Sequence, residues 1–561
     1  MTNLTSSYVC STAAAPLLFD TIGRALDAAV ARHGPREALV VPFQDVRWTW
    51  AELGARVDAF ACGLLALGID VGDRVGIWSP NCAEWVVTQY ATAKIGAILV
   101  CINPAYRLSE LEYALNKVGC KALVTAERFK TSEYLGMLHD LAPELAQCAP
   151  GQLRAARLPQ LTTVIRLGDE PTPGTYNLEA VAQLGGAAER NRLRDIGAAL
   201  QADDAINIQF TSGTTGSPKG ATLTHCNILN NGWFVGEVQN FTAQDRLLVP
   251  VPMYHCFGMV MGTLGCLTHG ATMVLPAPVF DPLATLRAAQ DERCTALYGV
   301  PTMFIAALDH PQFAQFDLSS LRTGVMAGAP CPEEVMRRVI DRMHMGEVTI
   351  CYGMTETSPV SFQTSPTDPL DKRVATVGRI QPRLECKIID ADGRVVGIGE
   401  RGELCTRGYS VMLGYWDEQA KTDGAIDAAR WMHTGDLATM DADGYVQIVG
   451  RIKDMLIRGG ENVYPREIEE YLFRHPAVQD VQVFGVPDAR YGEEICAWIM
   501  IKAGQTLDEG GVKTFCHGQI AHYKVPRYVR FVEEFPMTVT GKIQKFVMRE
   551  AMIAELAAPP A

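Results

Sequence analysis

No two of the sixteen cysteines form a CxxC pair, and the close histidines His517 and His522 have no cysteine pair to complete a site. That spacing argues against zinc. Single thiols in apolar stretches, such as Cys62, Cys101, Cys120 and Cys266, read as small core residues. Cysteines without a framework point to a reducing compartment, and the expected location is cytoplasmic. The N-terminus lacks a basic stretch followed by a long apolar run, and it lacks the arginines of a transit peptide. No stretch reaches the roughly 18–20 apolar residues that span a bilayer. Ala91–Val100 and Met259–Leu267 are shorter and broken by Lys94 or by glycine, so they are expected to be buried elements. Positive charge is in deficit, with 50 Lys+Arg against 63 Asp+Glu and a net charge of −13. That balance argues against nucleic acid or an anionic membrane as partner, while local basic clusters remain free to hold phosphates. Internal repeats and low-complexity tracts are absent.

The 561 residues exceed one compact core and suffice for two or three domains, and 48% apolar residues can fill them. The first half alternates helix and strand patterns. Ala51–Leu67 has helical spacing and stops at Gly68; Asp73–Trp78 reads as a buried strand, Ala83–Lys94 as helix, Ala97–Cys101 as strand, Ser109–Lys117 as helix and Cys120–Thr125 as strand. This is the βαβ rhythm of a parallel sheet. Ala142–Ile196 is rich in Ala, Gly, Pro and charge and reads as loops. Short strands with glycine turns over Val374–Thr439 predict a small β-rich subdomain. From about Met455 the pattern is β, α, β, β, α, and the last residues, AELAAPPA, are expected to fray. The predicted fold class is α/β: a large N-terminal region of parallel-type sheets with helices, a small β-rich subdomain, and a mobile C-terminal α+β domain. The predicted domains are residues 1–453 and 454–561.

The strongest local signal is Gln209-Phe210-Thr211-Ser212-Gly213-Thr214-Thr215-Gly216-Ser217-Pro218-Lys219-Gly220. It follows a strand-like run, Ile206–Phe210, and is expected to lead into a helix starting near Thr224. Glycines let backbone N–H groups turn toward an anion, the hydroxyls of Thr211, Ser212, Thr214 and Thr215 add donors, and Lys219 adds charge. It is not a Walker A loop, because Pro218 stands where that motif needs glycine. Composition alone also fits a Ser/Thr/Gly surface loop.

TSGTTGSPKG resembles the phosphate-loop signature of the AMP-forming adenylating enzymes: acyl-CoA synthetases, luciferases and peptide-synthetase adenylation domains. Further blocks of that family recur in order from about Phe19 to Met548. The resemblance is nearest to medium- and long-chain fatty-acyl-CoA ligases. It implies that ATP, Mg2+ and coenzyme A take part, with a fatty acid as substrate, and a homodimer is a possible assembly. Aryl or other carboxylic acids, or a carrier protein as acceptor, are the alternatives.

The remaining blocks read as parts of that chemistry. Tyr352 can stack on a purine, Thr355 can bond a phosphate oxygen, and Glu356 offers a hard carboxylate to Mg2+. Gly328-Ala329-Pro330 allows backbone to approach a ligand, and the resemblance places adenine there. Asp436 can accept from both ribose hydroxyls, and Arg451 can contact the ribose or its phosphate, although the charges around Arg451 fit a solvated cluster equally well. The resemblance makes Asp454 the hinge of the C-terminal domain and Lys542 the adenylation lysine. A cation there offsets the repulsion of a carboxylate attacking a phosphate. The segment Pro250–Met259 carries no acidic residue and suits an aliphatic chain; by resemblance its His255 lies near the substrate carboxylate. Tyr298–Met303 resembles a second pocket-forming segment. Gly459 and Gly460 permit a tight turn, and the resemblance has this segment swing in to shape a pantetheine tunnel.

Overall fold

The computed structural model describes residues 4–12, 15–211, 218–329, 331–459, 461–488, 490–538 and 543–557. Two large sheets carry the N-terminal part. In the first, Tyr176–Asn177, Thr163–Arg166, Ala122–Thr125, Arg74–Trp78, Ile98–Cys101 and Ala205–Thr211 run parallel in that spatial order. Lys219–Thr224 and Gly414–Tyr415 add antiparallel at the edge. In the second, Glu347–Gly353, Thr323–Ala327, Ala296–Gly299, Arg246–Leu248, Thr272–Val274 and Glu37–Val41 are parallel, with antiparallel strands outside them. Helices Ala83–Ile95 and His225–Val238 are apolar around nearly their whole circumference and buried almost throughout, as expected of helices in a core. Several of their buried polar groups are paired, while Trp85 Nε1 and His225 Nε2 have no partner among the described residues. Gln89 donates to the Met259 carbonyl at 2.9 Å, Tyr90 to the Thr263 carbonyl at 3.0 Å, and Asn231 to the Val360 carbonyl at 2.8 Å. Unpaired, each would cost about 1–3 kcal/mol.

A third, antiparallel sheet contains Tyr8–Cys10, Leu384–Ile389, Gly402–Gly408, Met432–Met440 and Val446–Arg451. It realises the predicted β-rich subdomain, with an N-terminal strand that the local pattern did not announce. A fourth sheet, of Leu456–Arg458, Glu461–Val463, Val478–Asp488, Gly492–Ile501 and Tyr528–Phe531, packs with helices Pro465–Leu472 and Glu509–Cys516 around an apolar cluster of its own.

Two local expectations are corrected. Ala142–Ile196 holds strand Thr163–Arg166, fully buried in the first sheet, and most of helix Ala187–Ala199. The strand is only four residues, Thr-Val-Ile-Arg, too few for a periodicity to register. Of the terminal AELAAPPA, Ala554–Ala557 continue helix Lys545–Ala557, whose Met548 and Met552 are buried against Phe484, Trp498 and Phe535, and residues 558–561 lie outside the described residues. The helix expected near Thr224 is present as His225–Val238, with strand Lys219–Thr224 between it and the phosphate block. Thr211 pairs with Lys219 as the last pair before the connecting segment of an antiparallel hairpin, and the helix begins directly after the second strand, capped by Thr224.

Candidate functional site

Ligands of open α/β sheets bind beyond the carboxyl ends of the strands. Here both large sheets send their carboxyl ends to one place. From the first come Ser79–Asn81 after Arg74–Trp78, Pro104 after Ile98–Cys101, and Thr211 at the end of its own strand. From the second come Pro250–His255, Thr302 and Met303, Gly328 and Ala329, and Tyr352–Glu356. A cavity of about 350 Å3 opens among these loops, lined by Asn81, Pro104, Phe129, Tyr254, Phe280 and Met303 among others. Met537 and Thr538 of the C-terminal part close one side of it.

Gly328 has φ +85°, and a side chain there would meet Val300 at 3.2 Å, so this strand end turns with backbone bare toward the site. Ala329 follows it. At the next strand end the Tyr352 hydroxyl donates to Asp436 Oδ2 at 2.6 Å. Arg451 Nε stands 3.1 Å from the other Asp436 oxygen, and Asp436 pairs with Arg451 across neighbouring strands of the third sheet. Burial and the adjacent carboxylate hold the Tyr352 phenol well above its ordinary range, so it stays a donor. Asp436 is thus oriented before any ligand arrives.

Glu356 lies in a short 3-10 turn with Thr355 and is 6% exposed. Its Oε1 accepts from the Tyr415 hydroxyl at 2.8 Å, and burial with this carboxylate pushes the Tyr415 phenol up. Lys219 Nζ stands 4.6 Å above the Tyr415 ring. Tyr415, on the edge strand next to Lys219–Thr224, thereby joins the phosphate hairpin to the Thr355–Glu356 turn. A carboxylate already positioned by a phenol is a hard oxygen donor that fits Mg2+.

His255 accepts at Nδ1 from the Phe257 N–H at 3.2 Å, which leaves the ring proton on Nε2. Cys256 is fully buried; its thiol donates to Gln209 Oε1 at 3.0 Å, and burial holds it well above the usual thiol range. The Gln209 amide nitrogen is buried without a partner among the described residues. From Phe257 to Leu267 the chain is helical and buried, a wall behind the site rather than a lining.

Of the predicted site residues, Thr211, Lys219, His255, Gly328, Ala329, Tyr352, Thr355, Glu356, Asp436 and Arg451 gather around the strand ends. Gly459 lies apart, in an exposed turn with φ +60° whose N–H donates to the Tyr491 carbonyl at 2.9 Å. Ser212, Gly213, Thr214, Thr215, Pro330, Gly460 and Lys542 lie outside the described residues. Sequence reasoning missed Tyr415 and Gln209. Gln209 stands in the quoted phosphate block, but no sequence signal marks Tyr415, which is 59 residues from Glu356.

The AMP-binding enzyme family matches residues 26–416, and the AMP-binding enzyme C-terminal domain matches residues 467–542. The chain belongs to the AMP-binding enzyme family. It is 48% identical over 552 residues to the human medium-chain acyl-CoA ligase ACSF2, mitochondrial, covering 97% of this chain and 90% of the relative. It is also 48% identical to the putative acyl-CoA synthetase YngI of Bacillus subtilis (strain 168), covering 96% and 98%. Among solved structures, the anthranilate CoA ligase AuaEII in complex with anthranoyl-AMP superposes with a TM-score of 0.85 at 28% identity, over 97% of this chain and 99% of that one. ATP-bound MatB from Rhodopseudomonas palustris gives 0.78 at 29% identity, over 95% and 99%. No described helix is long and apolar enough to cross a membrane.

Proposed function

We propose that this chain is an ATP-dependent acid–thiol ligase that makes acyl-CoA from a medium-chain fatty acid through an acyl-adenylate, releasing AMP and pyrophosphate. The observation that carries the reading is that the Tyr352–Asp436–Arg451 trio and the Lys219–Tyr415–Glu356 trio meet on one short segment, Tyr352–Glu356, at the strand ends. One trio suits a ribose and the other a polyphosphate. The relatives named as acyl-CoA ligases, similar over nearly the whole chain, support the overall reaction.

In this reading Asp436 accepts from the ribose hydroxyls, the Tyr352 ring flanks adenine, and Gly328-Ala329-Pro330 lets backbone reach the base. Thr211 to Thr215 and Lys219 hold the outgoing pyrophosphate. Glu356 holds Mg2+, which neutralises phosphate charge when bound. Thr355 donates to the α-phosphate, and His255 Nε2–H faces the acid's carboxylate. Lys542 supplies a cation at the adenylation transition state. Met537 and Thr538 lie against the chamber, which supports a closed adenylation arrangement with Lys542 at hand. The contact is held outside the chamber by Arg401, which ion-pairs with Glu467 and stacks 4.9 Å from the centre of the Tyr464 ring. Domains 1–453 and 454–561 then turn about Asp454, withdrawing Lys542 and bringing Gly459 and Gly460 to the chamber for CoA. The sixteen unpaired cysteines support a reducing compartment, proposed as the cytoplasm, and a homodimer is the proposed assembly.

The experiment is CoA-dependent AMP formation across a panel of aliphatic, aryl and amino acids, with a holo-carrier protein as the rival acceptor. AMP formation with carrier but not with CoA overturns the ligase reading.

A further inference from the structure

Away from the nucleotide site, one group of side chains has the composition of a metal centre. Glu403 and Cys405 are two residues apart on strand Gly402–Gly408 and share a face. His433 lies opposite Cys405 on strand Met432–Met440. Its Nδ1 is 3.0 Å from Glu403 Oε2 and 3.7 Å from Cys405 Sγ, and the three ligand atoms all fall within 4.8 Å of one another. Tetrahedral zinc, with bonds of about 2.1 Å to N and O and 2.3 Å to S, sets such atoms roughly 3.3–3.7 Å apart. The side chains already stand close to that spacing.

The surroundings repeat the pattern of a supported metal ligand. Glu403 Oε1 is held by the Gly435 N–H at 3.1 Å, which leaves Oε2 directed at the group. His433 Nε2 faces Asp427 Oδ2 at 3.9 Å, the place where a metal-bound imidazole offers its second N–H to a carboxylate. Cys405 is buried against Ile389 and Trp431, an apolar backing for the sulfur, while Glu403 and His433 are half-buried and leave a way in. Lys387, paired with Cys405 on the next strand, is the nearby cation, but its ammonium sits 4.5 Å over the Trp431 ring.

We propose that Glu403, Cys405 and His433 bind a borderline-soft divalent cation of the Zn2+ class, with water as the fourth ligand. Binding exchanges the Cys405 S–H bond for a sulfur–metal bond and releases that proton to solvent. The metal takes the place of the proton that His433 Nδ1 shares with Glu403 Oε2, and in the bound form the ring N–H is at Nε2, on the side of Asp427. A thiolate in the set disfavours Mg2+, so this site is distinct from the carboxylate at Glu356. It also revises the reading of the cysteine spacing: Cys405 and His433 are 28 residues apart and meet only across the sheet.

The test is titration of the chelator-stripped full-length protein with Co2+, then with Zn2+. A thiolate-to-cobalt charge-transfer absorption is expected, saturating at one ion per chain and bleached by Zn2+. Cys405→Ser should abolish the band. Asp427→Asn should weaken Co2+ binding roughly 10–100-fold, and His433→Gln at least as much. No band at saturating Co2+, or a band that persists in Cys405→Ser, overturns the site. Should Cys405→Ser fail to fold, His433→Gln decides alone: unchanged Co2+ affinity overturns the proposal.

Discussion

The Tyr352 hydroxyl reaches across 84 residues of chain to bond Asp436 Oδ2 at 2.6 Å, joining the second large sheet to the antiparallel third sheet. Tyr352→Phe keeps the ring and removes this bond to an ionised acceptor, worth about 1.5–3 kcal/mol. The ATP KM in acid-dependent ATP–pyrophosphate exchange is expected to rise roughly tenfold or more, with the KM for the acid unchanged. An equal rise for both substrates would place Asp436 away from the nucleotide.

Lys542→Ala should slow adenylation by roughly 10²–10³ while sparing thioester formation from supplied acyl-AMP. The chamber edge formed by Met537 and Thr538 motivates this, since those residues bring the chain toward the reacting groups. Single-turnover assays of the two half-reactions decide it; equal damage to both rejects the division of labour.

Glu356→Gln preserves an acceptor for the Tyr415 hydroxyl and removes the charge. The variant should stay folded and need a higher Mg2+ concentration for half-maximal adenylation. Isothermal titration of ATP at several Mg2+ concentrations measures it, and an unchanged Mg2+ dependence assigns the metal to other residues.

Octanoate should exceed acetate, benzoate and phenylalanine in kcat/KM. Each methylene buried in an apolar chamber contributes about 0.8 kcal/mol, roughly fourfold. An amino acid would bury an unpaired ammonium at a cost of several kcal/mol. Benzoate above octanoate would leave the ligase chemistry standing and remove the fatty-acid assignment.

His225 sets an acid limit on stability. Its Nδ1 accepts from the Ile22 N–H at 3.1 Å in a fully buried position, and burial lowers it from the ordinary 6.5 to about 3. The unfolded chain binds this proton first, so stability is whole above pH 6.5 and falls progressively as pH drops from 6.5 toward about 3. His225→Asn keeps an acceptor and cannot titrate. The loss of Tm between pH 7 and pH 5 is therefore expected to be smaller in the variant, and an equal loss refutes the role.

The sequence by itself determined the parts that local chemistry writes. Helical and alternating apolar spacing located Ala83–Ile95, Arg74–Trp78 and Ile98–Cys101 to within a residue or so, because burial imposes those periods directly. The glycine- and hydroxyl-rich run around Thr211, and the Tyr352–Glu356 block, stood out because anion-holding chemistry needs those residue types side by side. Tertiary structure alone decided what depends on strands meeting through space. It drew Thr163–Arg166 into a sheet, and set Tyr415 on Glu356, Asp436 under Tyr352 and His433 beside Cys405. The strand pairings and the His433–Cys405 contact are fixed by sheet register, the Tyr415–Glu356 and Tyr352–Asp436 contacts by one element packing on another, and both are properties of the packed core rather than of any local stretch of chain.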